Sequence, residues 1–330
     1  ASVLLSIAFG GQRVLARRAE ASAQHRLRMA ASMVSSVGGF EISRRLSLLE
    51  VEPAKPALLD AMLLVDQQPD DRELWTAPQN LIYKLRDEIE AAGVQVDSVF
   101  LNDARGTQIA RAPHDASVGR NFAYRQYFHG GQEDLAPEEL EVHPQTQAPS
   151  ELPVVSNAYV STNRGKDGSL FIKTALSVPI VVRDQGSERV IGRLGVSLRI
   201  NELAIFDSLA DLPMEAILVE TRDYQWGRGR AAGLILDRFA AESPAAAAPN
   251  HQDSSHDGIS IQELQDAMPR IQAETLRQLG KYSNNGTQLI PDFFDPQVNR
   301  RHGEVACADL KIPYRSDIRT GWKVLFIESK

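Results

Sequence analysis

One arginine set among aromatic residues holds the richest chemistry in this sequence. Residues 122–128 read Phe-Ala-Tyr-Arg-Gln-Tyr-Phe, which places Phe122, Tyr124, Tyr127 and Phe128 around Arg125. A guanidinium is a rigid planar fork of donors, and aromatic walls beside it can dock a planar anion such as a carboxylate. Tyr124 and Tyr127 would supply hydroxyls and ring faces, and Phe128 a wall. Tyr159 and Lys173 fall in later strand-like runs that should face the same helix and loop. By strand alternation Lys173 shares a face with Phe171, Ala175 and Ser177. It either reaches the ligand or snorkels to water at a strand end. Asp103 ends an apolar run, where it either meets the ligand or anchors a turn. The competing reading of the whole cluster is a set of core aromatics with Arg125 paired internally, for instance to Asp103 or Asp115.

The elements that must position these groups lie just upstream. An apolar strand, VFLND (99–103), is followed by a turn at Ala104-Arg105-Gly106 and a second strand, TQIARA (107–112), ended by Pro113. A polar stretch then leads through Gly119-Arg120-Asn121-Phe122 into the arginine cluster.

Strand, D-x-R-G turn, strand, R-x-P and then G-R-N-F-x-Y-R-Q-Y-F resembles the extracytoplasmic Cache sensor domain, in the double form found in bacterial membrane receptors. The resemblance implies an α/β fold of the α+β type, with a long N-terminal helix and two PAS-like modules, each an antiparallel sheet with flanking helices. It implies a ligand-sensing role without catalysis, on the periplasmic face of the membrane, with the ligand in the first module. It also implies membrane spans flanking this segment, a homodimer in the receptor, and a cytoplasmic output such as a histidine kinase, a cyclase or a chemotaxis transducer. Amino-acid-binding members are expected to carry a Tyr five residues before the arginine, a Trp two after, a Tyr three after and a later Asp for the amine. Those positions here hold Arg120, Tyr127, Phe128 and Val182, with Asp184 two residues late. The resemblance thus implies a carboxylate or another small anion in preference to a simple α-amino acid.

Composition bounds the alternatives. The chain has 330 residues, 43% hydrophobic and 24% charged, which is globular and long enough for two ordinary domains. A net charge of -7 with no basic run leaves nucleic-acid binding without an electrostatic footprint. The single cysteine, Cys307, excludes an internal disulfide and any cysteine-rich zinc site, and its apolar run VACADL predicts a buried thiol. No nucleophile elbow, zinc-protease helix motif, P-loop or dinucleotide fingerprint occurs, so neither an enzyme nor a cofactor is expected. His251, Asp253, His256 and Asp257 cluster in a polar segment that reads as solvated, so no metal is expected either.

In chain order, residues 1–50 read as a spine helix, with 1–11 a candidate tail of a membrane span. Leu15, Ala19, Ala23, Leu27, Ala30, Met33, Val37 and Phe40 recur at helical spacing, followed by Ile42, Leu46 and Leu49. Gly38-Gly39 is a weak point costing about 1 kcal/mol per glycine against alanine. Residues 51–200 form the first module, and 201–330 the second. Helices are expected over 57–65 and from about 71 to 92, with Gly93 closing the latter. Strands are expected over 154–163, 169–184, 189–200, 216–229, 305–314 and 321–329, a hairpin turn at 164–168, and one helix dented by Pro269 over 261–280. The 216–229 run echoes the 98–106 run, and 321–329 echoes 189–200, which argues for two tandem modules of one topology. The Ala/Pro/Ser-rich stretch 240–258 reads as a mobile insert. Two further functions stay open: a ligand-independent dimerisation or partner-binding module of a receptor, and a soluble hydrolase with a dispersed site.

Overall fold

The structure is a computed structural model that describes residues 2–136, 148–161, 170–184, 186–203, 205–206, 214–240, 260–281, 287–296 and 300–328. It opens with one unbroken helix, α1 (Ser2–Val51), of 50 residues. No proline interrupts it, and at 1.5 Å per residue it runs for about 75 Å. From Gln12 to Arg26 its side chains are almost all exposed, and burial begins at Leu27. Leu27, Ala31, Val34, Ile42, Leu46 and Leu49 then form the buried stripe, each large side chain worth roughly 1.5–3 kcal/mol when fully covered. Met33 and Phe40, expected on that stripe, instead point outward with Leu15 and Met29. The stripe is set by the i, i+3, i+4, i+7 series from Leu27, and Met33 and Phe40 fall on its far side.

Gly38 and Gly39 are where α1 meets the second sheet. A Cβ on Gly39 would collide with the Lys311 carbonyl, and one on Gly38 would come within 2.7 Å of Leu310 Cδ1. Bare backbone lets helix and strand approach this closely, so the expected weak point is a close-packing point. Ser35 reinforces it by donating to the Asp309 carbonyl.

The first module packs α2 (Pro56–Gln67) and α3 (Thr76–Ala91) with α1 on one face of an antiparallel sheet. Proline at the first position starts α2. Asp71 caps the 3-10 turn that leads into α3 by accepting from the Glu73 N–H. The sheet runs β2-β1-β6-β5-β3 with β4 also on β5, where β1 is Ser98–Asp103, β2 Gln108–Ala112, β3 Val154–Val155, β4 Tyr159–Val160, β5 Ile172–Asp184 and β6 Ser187–Arg199. A four-residue helix, α4 (Gln126–His129), lies over its other face.

The second module repeats the order as β10-β7-β13-β12-β11, with β7 Met214–Glu220, β10 Ile235–Ala240, β11 Gln288–Asp295, β12 Arg300–Lys311 and β13 Arg319–Glu328. A separate hairpin joins β8 (Gln225–Trp226) to β9 (Gly229–Arg230). The expected helix over 261–280 is two, α5 (Ile261–Ala267) and α6 (Ala273–Lys281). Pro269 cannot continue a helix, and it leaves Arg270 free to bridge to Leu234. Gly280 lies inside α6. A 3-10 turn over Ile200–Glu202 begins the connection to the second module. The strand expected over 154–163 is reduced to the two short pieces β3 and β4. Cys307 is buried, as its run predicts, and burial pushes its thiol up to about 12. The 164–168 turn, the four-residue His/Asp cluster and all of the 240–258 insert except Ala240 lie outside the described residues. Among the described residues no helix is long and apolar enough to cross a membrane.

Candidate functional site

Strand alternation gives the first sheet two different faces. Val99, Leu101, Leu176, Val178, Leu194 and Val196 join the helical core, while Phe100, Ala175, Tyr127 and Phe128 make a small separate cluster on the other side. Phe100 and Tyr127 lie 4.9 Å apart between ring centroids. Over this second face sits a cavity of about 200 Å³. Phe100, Lys173 and Ser197 line it from β1, β5 and β6, Gln108 and Arg111 from β2, Arg120 and Asn121 from the loop, and Tyr159 from β4. Tyr124, Arg125 and Tyr127 close it from the α4 side.

Arg125 stands at the residue preceding α4, with extended backbone. Its Nη1 donates to Asp134 Oδ2 at 2.6 Å, and the other oxygen of that carboxylate accepts the Gln126 N–H at 2.8 Å. One carboxylate therefore fixes both the helix start and the guanidinium. The guanidinium carbon lies 5.1 Å from the Tyr124 ring centroid and 5.2 Å from that of Tyr159, two cation–π contacts. Burial alone would lower the Arg125 pKa, but Asp134 and the tyrosine oxygens outweigh it, and it lies above the ordinary value. The expected internal partners were Asp103 or Asp115; the observed one is Asp134. Asp115 pairs with Arg111 at 2.9 Å.

Lys173 is buried, not snorkelling, and its Nζ donates to Asp97 Oδ2 at 2.6 Å. Arg199 Nε donates to the other oxygen at 3.0 Å. Burial pushes Asp97 up, yet its bonds to Lys173 and Arg199 prevail and hold it below the usual carboxylate range. Burial draws Lys173 below its own ordinary value. Burial pushes the Tyr159 hydroxyl up to about 12 and Tyr127 well above its usual value, so both remain neutral donors near pH 7.

Two expected site residues lie elsewhere. Asp103 is buried in the β1–β2 turn, where Oδ1 accepts the N–H groups of Arg105 and Thr107 at 2.9 and 2.8 Å. It anchors the turn, in which Gly106 takes a φ of 86°, and it does not line the cavity. Phe128 is wholly buried beneath the cavity and supplies core, not wall. Val182 also lies outside the lining. Sequence reasoning missed Asp97, Arg111, Asp134 and Arg193. Arg193 is completely buried, with no carboxylate partner among the described residues; it donates to Ser177 Oγ at 2.9 Å and to the Leu152 carbonyl at 3.0 Å, and burial pulls it down to about 9. Ser177 in turn donates to the Tyr127 carbonyl at 2.6 Å, which ties α4 to the sheet.

The cavity therefore presents four basic side chains, Arg111, Arg120, Arg125 and Lys173, and no carboxylate among its lining residues. The acids that pair with three of them stand behind. Such a surface attracts a small anion and offers it charged and neutral donors together.

No family model matches the chain, and no curated protein does. Among solved structures, the chain is similar to the ligand-binding domain of the Pseudomonas aeruginosa PAO1 amino-acid chemoreceptor PctC in complex with GABA. The identity is 19% over 93% of this chain and 99% of that one, with a TM-score of 0.47. It is also similar to the sensor domain of the Vibrio cholerae histidine kinase DctB (13% identity, 97% and 98% covered, TM-score 0.43). A third likeness is to the periplasmic domain of Vibrio cholerae LuxQ (12%, 92% and 99%, TM-score 0.40). The architecture seen here, a long helix with two sheets of one strand order, is the fold implied by the double Cache resemblance.

Proposed function

We propose that this chain is the extracytoplasmic sensing segment of a membrane signalling receptor, and that its first module binds a small organic anion of the carboxylate type. The carrying observation is the convergence of four basic side chains and three tyrosines on one cavity whose lining holds no acid. A cavity of about 200 Å³ suits a small metabolite; drug-sized ligands occupy roughly 300–1,000 Å³. In this reading residues 1–50 are the spine, 51–200 the sensing module and 201–330 the module nearer the membrane. Arg125 is the principal counter-charge, Tyr124, Tyr127 and Tyr159 are donors and walls, and Lys173 reinforces the field from the sheet. The segment performs no catalysis.

A thermal-shift screen of mono- and dicarboxylates at constant ionic strength tests it. A ligand that binds only the folded state raises stability by RT ln(1 + [L]/Kd). At least one acid should raise the melting temperature of the parent chain but not that of Arg125→Ala. A flat screen, or a gain that survives the substitution, defeats the reading.

One observation favours a second reading, a ligand-independent dimerisation module. Met29, Met33 and Phe40 form an outward apolar stripe on α1, opposite its buried stripe. A second copy packed along that stripe would cover it. Sedimentation of Phe40→Glu tests this: a dimer that dissociates on the substitution supports the helix contact, and an unchanged dimer removes it.

A further inference from the structure

A second cavity, of about 250 Å³, lies where the first module meets the second. It shares Arg125, Tyr127 and Tyr159 with the first cavity, so these three side chains form a common wall. Its chemistry has the opposite sign. The charged groups in its lining are Arg125, Asp134 and Glu133, and Arg125 is already neutralised by Asp134 at 2.6 Å. Glu133 is left as the net charge. Its Oε2 accepts the Gln225 N–H at 2.7 Å, and the nearest cation, Arg230, stands 3.8 Å off and is itself bonded to Asp223.

A second observation points to a donor-bearing occupant. Asn157 lines the cavity and is 7% exposed. Its Nδ2 donates to the Gln132 carbonyl at 2.7 Å, which fixes the amide orientation. The Oδ1 that remains is buried with no donor among the described residues. A buried acceptor without a partner carries an uncompensated desolvation cost, which a bound donor would remove. The aromatic walls are Tyr127 and Tyr159 from the first module and Tyr224 and Trp226 from the second. Ring faces, one net carboxylate and one orphan acceptor together describe a site for an ammonium group carrying a short apolar chain.

We propose that this inter-module cavity is a second ligand site, selective for a small organic cation with at least one N–H donor. The occupant would touch Asn157 and Glu133 on one module and Trp226 and Gln265 on the other, and so would tie the two modules together. The site does not depend on an anion being bound on the other side of Arg125.

The probe is n-butylammonium chloride, titrated calorimetrically into the full chain at constant ionic strength, with 1-butanol as the uncharged analogue. Two variants accompany it. Glu133→Gln keeps an oxygen for the Gln225 N–H and removes the charge. Gln265→Trp fills the cavity from α5 without touching the Asn157 hydrogen bonds. The expected result is saturable binding of the ammonium, weakened by about tenfold in Glu133→Gln and abolished in Gln265→Trp. Absence of saturable binding, equal binding of 1-butanol, or binding that either variant leaves unchanged overturns the proposal.

Discussion

Arg125 and Asp134, nine residues apart, meet at 2.6 Å in the wall between two cavities of opposite charge. Asp134 holds the guanidinium in place, so a ligand at Arg125 would meet a positioned group. Nη1 carries that bond, and the guanidinium fork has further N–H donors that can face an anion.

Arg125→Ala should therefore separate affinity from stability. Its partner's side chain is 41% exposed, and partly exposed pairs contribute about 0–1 kcal/mol. Loss of a charge-assisted bond to an anion should weaken binding roughly ten- to a hundredfold. Isothermal titration with the best acid from the screen, alongside calorimetric melting of the ligand-free protein, reads both quantities. A melting temperature that collapses without ligand would make Arg125 a structural residue.

The Asp97 cluster should behave in the opposite way. Asp97→Ala strips the buried Lys173 of its counter-charge, and breaking a buried pair costs about 3–5 kcal/mol. Lys173→Met should cost less, because Asp97 keeps Arg199 at 3.0 Å. The pH sign follows from the depressed folded pKa of Asp97. Its contribution is present above the unfolded carboxyl value of about 3.9 and is lost as pH falls through the lower folded value. Urea denaturation at pH 7 and again in acid should show the gap between parent and Asp97→Ala closing on acidification. Equal costs for the two substitutions would contradict this ordering.

Gly39→Ala should destabilise the fold although helix propensity alone favours alanine by about 1 kcal/mol. The added methyl meets the Lys311 carbonyl, a backbone atom that cannot rotate away. Gly38→Ala meets a leucine methyl and should be milder. Thermal unfolding of both variants decides the order; a stabilised Gly39→Ala would mean that α1 does not pack as closely as described.

Asp237, on β10 beside a bulge, is lifted to about 7 by burial against an unfolded value of about 3.9. Between those values the folded chain holds a proton that the unfolded chain releases. The associated stability is fully present below the unfolded value and is lost as pH rises through about 7. Asp237→Asn cannot ionise, so its melting temperature should gain on the parent between pH 5 and pH 8. A constant difference across that range would place the carboxyl in water.

What the sequence revealed follows physical range. Helical spacing marked α1, and the strand–turn openings at 98–106 and 216–229 marked two like modules, because both signals are local. Strand β11 was not legible: QLIPDFFD carries Pro291 and no alternation, which an edge strand tolerates. Strand β10 is short and bulged. In the site, Tyr124, Arg125, Tyr127, Tyr159 and Lys173 do converge. Their partners were hidden because sheet register brings Asp97 to Lys173 across 76 residues. Asp134 sits in an acidic run whose other members look equally eligible. Asp103 and Phe128 have the right residue types, but the turn claims one and the core the other.

The unbroken helix also acts as a lever. Its buried stripe from Leu27 to Leu49 is the gripped end, and the helix backbone over residues 2–26 is an arm about 37 Å long. A hydrogen-bonded rod of this kind does not shorten along its axis, so rearrangement of the gripped end must appear as tilt or translation of the arm. A tilt of about 5° would carry the far tip by about 3 Å over that length, a displacement larger than most side-chain adjustments within either cavity.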